Sequence, residues 1–226
     1  MSGQVLQRRT HRGGFDPVPL ASELLDVLQA GARRDQAQLR IVTGEASRAW
    51  LAATVQTAER SLRRSSLHVR ELAAWAAPPG STRSDGLPTT SYPARPARTV
   101  PDFPGRDFGH GRGWGLPPTS ADAAARSAGV ACLLTTVGDG PCDWVNAGQA
   151  PQRVLLTSAA CGVAAALHSQ PLELAWLRKL IRDQVSDGSY PQLMIRLGPV
   201  TQTAASIRRS PASVLLASGS QQADIR

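Results

Sequence analysis

Lysine and aromatic residues are the two side-chain classes that this sequence most clearly lacks. Lys179 is the only lysine among 25 Lys and Arg residues, and Phe, Trp and Tyr together make up 4% of the chain. Surfaces that bind nucleic acids usually mix arginine and lysine with aromatic rings on which bases stack. The net charge of +8 therefore does not predict a nucleic-acid partner, and an arginine-rich, lysine-poor composition is typical of GC-rich genomes.

Cysteine pairs and long apolar runs are also missing. Cys132, Cys142 and Cys161 are odd in number and form no C-x-x-C pair, so neither a disulfide framework nor a zinc site is predicted. No apolar run reaches the ~18 residues that a membrane span needs. The first residues, MSGQVLQRRT, lack the apolar stretch of a signal peptide. We therefore expect a cytoplasmic protein with reduced thiols and no membrane association.

The common catalytic motifs are absent as well. The sequence has no G-x-S-x-G elbow, H-E-x-x-H pair, Walker loop or G-x-G-x-x-G after a strand. Its acidic residues show no paired spacing, and its four histidines, His11, His68, His110 and His168, lie far apart. No catalytic residue and no metal ligand is predicted. An enzyme of this kind would depend on a cofactor for its chemistry, and a flavin fits because few side chains need to react.

The apolar residues that are present follow helical and strand periods in alternation. They predict helices over 22–31, 45–64, 68–77, 143–168 and 172–185, and strands over 39–43, 130–134 and 190–199. Strands separated by helices indicate an α+β or α/β layered fold. A chain of 226 residues is long enough to bury a substantial core.

Residues 78–119 have neither period, because Pro, Gly, Ser and Thr dominate there. A stretch this long is usually a lid, a binding segment or a linker. We predict one domain over 1–217, with 78–119 as a lid or flexible insertion that lies outside the core. The polar tail follows at 218–226.

The stretch QRRTHRGGFD, residues 7–16, is the strongest candidate for a binding site. Arginine forks bind phosphate oxygens in pairs, a threonine hydroxyl adds a hydrogen bond, and a Gly-Gly pair lets the backbone approach closely. The alternative is an N-terminal basic arm surrounded by solvent. On this stretch alone the two interpretations are about equally supported.

The segments around this stretch indicate which kind of protein it belongs to. R-R-T-x-R-x-x-F-x-x-x-P-V followed by a Leu-rich helix resembles the opening of flavin nitroreductases. Further segments resemble the actinobacterial Acg-like subgroup, in the same order along nearly the whole chain: HVRELAAW, SDGLP, RDFGHG, DWVNAGQAPQRVLLTSAACGVAAALHSQPLE, YPQLMIRLGP and IRRSP. Acg-like proteins carry a preceding half with an A-P-S-x-x-N-x-Q-P-W-like segment. None occurs here, so the chain resembles the C-terminal half.

The resemblance implies an α+β fold, a sheet flanked by helices, in an intertwined dimer with FMN at the subunit seam. It implies NAD(P)H as reductant and nitro or quinone-like compounds as small-molecule acceptors. The residues implied in cofactor binding are Arg8, Arg9, Thr10 and Arg12 at the FMN phosphate, Arg208 and Arg209 approaching it, and Ser169 and Gln170 near the flavin ring.

A second hypothesis follows from the missing half and the lid-like insertion. The chain would then be a non-catalytic, truncated relative that binds or sequesters flavin, or that pairs with a partner half. A third hypothesis, nucleic-acid binding through the positive charge, is disfavoured by the shortage of aromatic rings and by the apolar, alanine-rich helix.

Overall fold

The computed structural model describes residues 2–78, 80–83, 85–92, 99–111, 129–201 and 209–215. Within these ranges the helices are α1 (Ser2–Gln7), α2 (Ser22–Arg34), α3 (Glu45–Leu62), α4 (Ser66–Trp75), α5 (Pro141–Ala160) and α6 (Ala175–Val185). The strands are β1 (Gln38–Ile41), β2 (Val130–Thr136), β3 (Val163–Leu167) and β4 (Tyr190–Pro199). Two short 3-10 turns, Thr89–Ser91 and Gln170–Glu173, lie among the loops.

The four strands form one sheet in the order β1-β2-β4-β3, and every neighbouring pair is antiparallel. Both central strands are covered on both faces: β2 is buried except at Val130, and β4 is buried from Met194 to Gly198. The α+β prediction is confirmed, and helices flank the sheet as expected.

Each face of the sheet has its own apolar core, because successive strand residues point to opposite faces. One core joins Leu134 of β2 and Leu197 of β4 to helices α2 and α5; its fully buried members include Leu28, Cys132, Val154 and Ile195. The other joins Leu133 and Met194 to helices α3 and α6; its members include Leu51, Val55, Phe103 and Ile181. The molecule therefore has helices on both sides of a central sheet.

The predicted helix over 143–168 is wrong only in its last eight residues, 161–168. Helix α5 ends at Ala160, Gly162 adopts a left-handed φ of +71°, and Val163–Leu167 form strand β3 against β4. The alanines of the run VAAAL predict a helix because alanine has a high helix propensity. Pairing with β4 outweighs that local preference. Helix α2 also continues past the predicted stop at Gly31 to Arg34, and α1 has no counterpart among the predicted helices.

The prediction that residues 78–119 lie outside the core is wrong at Phe103. This side chain is 3% exposed and packs in the α3/α6 core. Asp107 anchors the same segment to α3: its backbone N–H donates to Glu59 Oε1 (3.0 Å), and its Oδ2 accepts from Arg63 Nη1 (2.6 Å). Residues 79, 84, 93–98 and 112–119 fall outside the described ranges.

Candidate functional site

The stretch 7–16 runs along the outer edge of the sheet. Thr10 pairs in parallel with Ala165 of β3, and the His11 N–H donates to the Ala165 carbonyl at 2.8 Å. Phe15 then turns inward and is 3% exposed. Its ring lies so close to Gly198 that an added Cβ there would come within 2.7 Å of it. The stretch is thus part of the folded sheet edge, which contradicts the alternative of a loose basic arm.

Two cavities open beside this edge segment. The first, of about 250 Å³, we call the Arg12 cavity; its lining includes Thr10, Arg12, Tyr92, Phe103, Asp107, Phe108, His168, Ser169 and Arg196. The second, of about 230 Å³, we call the Arg8 cavity; its lining includes Gln4, Arg8, Arg9, Thr10, Leu155, Ala159 and Gly162. Thr10 and His11 line both cavities, so the two sites share a wall.

Five of the predicted binding residues line these cavities. Thr10, Arg12 and Ser169 meet in the Arg12 cavity although Ser169 is far from the others in sequence. Arg8 and Arg9 line the Arg8 cavity instead. The fold brings the two stretches together because β3 ends beside the edge segment and the chain then turns at Ser169, just before the 3-10 turn Gln170–Glu173.

Of the remaining predicted residues, the two that the structure describes, Gln170 and Arg209, line neither cavity. Gln170 is 1% exposed, and its Nε2 donates to Glu59 Oε2 at 3.4 Å, so it supports the layer behind the cavity. Arg209 is exposed, and its charge helps to lower the pKa of Asp85, after the stronger effect of Arg83. Arg208 lies outside the described residues.

The histidine and arginine at the floor of the Arg12 cavity were missed by the sequence interpretation. His168 directly follows β3, and Arg196 lies in the middle of β4; each is 4% exposed. The available signal was the run LMIRLG, in which a single arginine interrupts an otherwise apolar strand. A charge at a core position of a buried strand is rare and usually has a partner or a function.

Burial controls the electrostatics of the cavity. It lowers the pKa of the Arg12 guanidinium, which lies 5.6 Å from the centroid of the Phe108 ring. Burial also lowers the pKa of His11, whose Nε2 lies 2.6 Å from the Gly14 carbonyl oxygen. That contact, with the Phe15 ring 4.9 Å away, fixes the turn at the Gly-Gly pair. The lowered pKa favours the neutral form of His11, and its contact with the Gly14 carbonyl gives it a structural role.

This arrangement suits binding better than proton transfer. Three arginines, Arg12, Arg106 and Arg196, line the Arg12 cavity against the single carboxylate of Asp107, and Arg63 already engages that carboxylate. The walls opposite are the aromatic rings of Tyr92, Phe103 and Phe108. A ligand with a flat apolar body and a negative group matches these walls. Among the described residues no group of three or more His, Cys, Asp or Glu side chains could hold a metal ion.

No family model matches the chain. Proteins from two strains of Mycobacterium tuberculosis, each provisionally named an NAD(P)H nitroreductase, are 30% identical to it over 199 residues. The match covers 88% of this chain and 55% of each relative, so the chain spans about half the length of the curated relatives it matches. In the described ranges, no helix has the length and apolar character to cross a lipid bilayer.

Solved nitroreductase structures share the fold over almost the whole chain. The FMN-dependent nitroreductase NfnB of Mycobacterium smegmatis, in complex with NADPH, has a TM-score of 0.54 at 16% identity, with 94% of each chain covered. The FMN- and NADPH-dependent NfnB of Sphingopyxis sp. strain HMH has a TM-score of 0.53 at 20% identity, covering 95% of this chain and 96% of that one. The fold of this chain is thus the nitroreductase fold.

Proposed function

We propose that this protein is an FMN-dependent NAD(P)H oxidoreductase that reduces nitro or quinone-like acceptors. The observation that carries the proposal is the meeting of Thr10, Arg12 and Ser169 in one cavity. These residues come from the two stretches that the nitroreductase resemblance implies at opposite ends of the cofactor. The solved structures with this fold include an FMN-dependent nitroreductase in complex with NADPH and an FMN- and NADPH-dependent nitroreductase, which supports the same assignment.

The residues present fit the chemical demands of FMN. Arginine side chains on both sides of Thr10, at positions 8, 9 and 12, offer charge-assisted hydrogen bonds to a phosphate. Tyr92 and Phe108 offer flat faces to the ring system. Each cavity is smaller than the ~300–1,000 Å³ that encloses a drug-sized ligand. A flavin nucleotide would therefore extend beyond either cavity, toward a second half or a second copy of the chain.

The chain's own contribution is to bind and orient. When bound, FMN supplies the hydride chemistry. Thr10 is held by its pairing with Ala165, so the hydroxyl that would reach the phosphate sits on rigid backbone. Ser169 is held where the chain turns at the end of β3 and would donate or accept one hydrogen bond at the ring. The aromatic walls would limit the access of water to a bound ring.

We propose that a second unit completes the site, because neither cavity is large enough to enclose a flavin nucleotide. The chain covers 55% of its curated relatives, and the resemblance to Acg-like proteins implies that it corresponds to their C-terminal half. Homodimerisation would supply an equivalent surface. Residues 99–111, which line the Arg12 cavity through Asp107 and Phe108, would then act as the lid of the completed site.

An absorption and fluorescence titration with FMN tests the cofactor assignment. We expect the purified protein to bind FMN with saturable quenching of its fluorescence, and to oxidise NADPH with a nitroaromatic or quinone acceptor. Arg12→Ala and Arg8→Ala should each weaken FMN binding by about 10-fold or more, because each removes charged hydrogen bonds worth about 1.5–3 kcal/mol.

Arg40→Ala is the matched control. Arg40 lies on β1, at the opposite edge of the sheet from β3, and pairs with Asp187. Its loss should leave FMN affinity unchanged. A protein that takes up no FMN, alone or mixed with a partner half, would refute the assignment. Equal affinities for wild type, Arg8→Ala and Arg12→Ala would show that the anchor is elsewhere.

The second candidate is a non-catalytic protein that sequesters flavin. The observation that favours it is the firm attachment of the cavity wall, since Asp107 is bound to both Glu59 and Arg63 of α3. A wall held in this way would keep NAD(P)H from the ring. Tight FMN binding without any NADPH oxidation would identify this function, and turnover would exclude it.

A further inference from the structure

Two polar residues that lie outside the stretch 7–16 line the floor of the Arg12 cavity. Arg196 and His168 lie there, on β4 and at the end of β3, and neither belongs to the stretch implied in phosphate binding. Phe103 faces both of them, Ala166 lines the cavity beside them, and the Asp102 carboxylate acts on Arg196.

Arg196 is a buried cation held in one place. Its guanidinium carbon lies 5.1 Å from the ring centroids of both Phe15 and Phe103, so cation–π attraction from two sides orients it. Burial lowers its pKa to about 10, against the attraction of Asp102, and the group stays charged at neutral pH. Asp102 offsets part of this charge. Because little water reaches the buried guanidinium, the charge that remains is weakly screened and attracts an anion in the cavity.

His168 is a buried imidazole that lacks hydrogen-bond partners. It is 4% exposed, and neither Nδ1 nor Nε2 meets hydrogen-bond geometry with any described residue, although the Pro104 carbonyl lies close enough to the ring to affect its pKa. Burial and the charge of Arg196 lower its pKa to about 3, only slightly opposed by the Pro104 carbonyl. The ring is therefore neutral and has one N–H to donate. Buried polar atoms are nearly always hydrogen-bonded, so an unsatisfied ring that lines a cavity indicates a ligand.

We propose that Arg196 and His168 form a binding site for a compact oxyanion, a phosphate or a carboxylate group. A guanidinium offers only donors, and the histidine can present its N–H to the same group, so together they select an oxyanion over a cation. The oxyanion has two sources: the phosphate of the proposed flavin nucleotide, or the acidic group of a separate small molecule in the cavity. This oxyanion site rests on the proposed function only in that both place a ligand in the Arg12 cavity.

Inorganic phosphate is the probe, used with the full chain in the absence of FMN. Two-dimensional NMR of the histidine ring nitrogens, with the His168 signal assigned by its loss in His168→Gln, follows the titration. We expect a saturable shift of that signal and a rise in the His168 pKa from about 3 when phosphate is bound. This readout needs no arginine variant, so it holds even if substitution of the buried arginine prevents folding.

Arg196→Gln should weaken phosphate binding about 30-fold or more, because a buried charge partner is lost. Arg196→Lys should recover part of that affinity, and the control Arg40→Gln, at the far edge of the sheet, should match wild type. Phosphate that leaves His168 unshifted, or that binds equally well to Arg196→Gln and to wild type, would overturn the proposal.

A competition experiment separates the two sources. If the nucleotide phosphate occupies the site, inorganic phosphate should weaken FMN binding and leave riboflavin binding unchanged. If a separate acid occupies it, phosphate should bind equally well to the FMN-loaded and the FMN-free protein. Either result supports the oxyanion site. A chain that binds phosphate at His168 but no flavin would refute the proposed function and leave this inference standing.

Discussion

Phe15 connects the candidate site to the core at the scale of a single residue. Its ring packs on the glycine backbone at two places, where an added Cβ would lie 2.8 Å away at Gly129 and 2.7 Å away at Gly198. The same ring faces Arg196 at 5.1 Å and His11 at 4.9 Å. The position of the edge segment therefore depends on a contact that only glycine allows.

Gly198→Ala should expose this dependence. The new methyl group would displace a ring that is 3% exposed, and overpacking of this kind costs about 1–3 kcal/mol. Urea denaturation should show the lower free energy of unfolding. Gly148→Ala is the control, because its Cβ would meet nothing within 4 Å on helix α5, so it should be neutral or stabilise by up to ~1 kcal/mol. A Gly198→Ala protein as stable as wild type would show that Phe15 is not confined there.

Glu59 is a second residue whose environment leads to a prediction. Its carboxyl is 0% exposed, and burial raises its pKa. Because the folded state then holds this proton more tightly than the unfolded chain, stability falls as pH rises from the ordinary value of 4.5 through the raised pKa. Glu59→Gln should remove that fall, and thermal unfolding across this pH range measures it.

The same substitution should be tolerated at neutral pH. Gln170 Nε2 donates to Glu59 Oε2, and the Gln170 Oε1 has no partner among the described residues. A flip of the Gln170 amide would turn that oxygen toward the new side-chain N–H₂. We expect Glu59→Gln to match wild type or exceed it by about 1 kcal/mol at pH 7. A large loss of stability would mean that the carboxylate charge itself is required.

At the scale of elements, Asp139 connects helices α5 and α6 to strand β4. Its carboxylate accepts from Arg178 Nη1 and Nη2 on α6 (2.7 Å each), from Trp144 Nε1 on α5 (3.0 Å) and from Gln192 Nε2 on β4 (3.2 Å). The Arg178 hydrogen bonds, more than any other contact, hold the pKa of Asp139 well below its ordinary value of 3.8. This one side chain fixes the starts of α5 and α6 relative to the sheet.

Asp139→Asn should cost about 1–2 kcal/mol near pH 7, after allowance for partial exposure. The depressed pKa stabilises the folded state fully above the unfolded value of 3.8, and this contribution is lost as pH falls below it. The deficit of the variant should therefore shrink in acid. Asp183→Asn removes only the exposed i,i+4 pair with Lys179 and should cost a few tenths of a kcal/mol. Equal losses in both variants would contradict the role of Asp139.

Most elements followed from periodicity, and the exceptions have physical reasons. The predicted strands and the helices from 45 onward, apart from the end of α5, agree with the structure because their apolar residues repeat at the period of one covered face. Strand β3 was missed because VAAAL has no such repeat and gains its stability from pairing with β4. Phe103 was missed for a related reason, since one ring fills a core position from a segment with no period of its own.

The site was predictable where a local motif existed. The stretch 7–16 carries arginines and a Gly-Gly pair in one short window, and its Thr10 and Arg12 do line a cavity. Arg196 and His168 come from separate strands and meet only through the order β4-β3. The roles of Ser169 and Gln170 were predicted from the family resemblance and not from a local motif. Only Ser169 lines the cavity, because the side chain of its neighbour turns back to Glu59.

At the scale of the whole molecule, local pairing accounts for much of the positive charge. Six arginines of the described residues form ion pairs with carboxylates, most of them between different elements. They are Arg40, Arg63, Arg83, Arg106, Arg153 and Arg178. Two more, Arg12 and Arg196, line one cavity, and Arg196 also interacts with Asp102. The net charge of +8 is therefore distributed in pairs and in a cavity too narrow for a duplex.

We accordingly expect no functional binding of nucleic acid. A protein that neutralises several phosphates shows affinity that falls steeply with salt, with a slope near −0.9 per phosphate contacted. Gel-shift and anisotropy titrations with duplex DNA and single-stranded RNA should show only weak association at low salt, lost by physiological ionic strength. Arg40→Ala and Arg12→Ala should behave alike in this assay, although only Arg12→Ala should affect FMN. Binding that persists at physiological salt and weakens in Arg12→Ala would assign the cavity arginines to a nucleic acid and refute the flavin proposal for them.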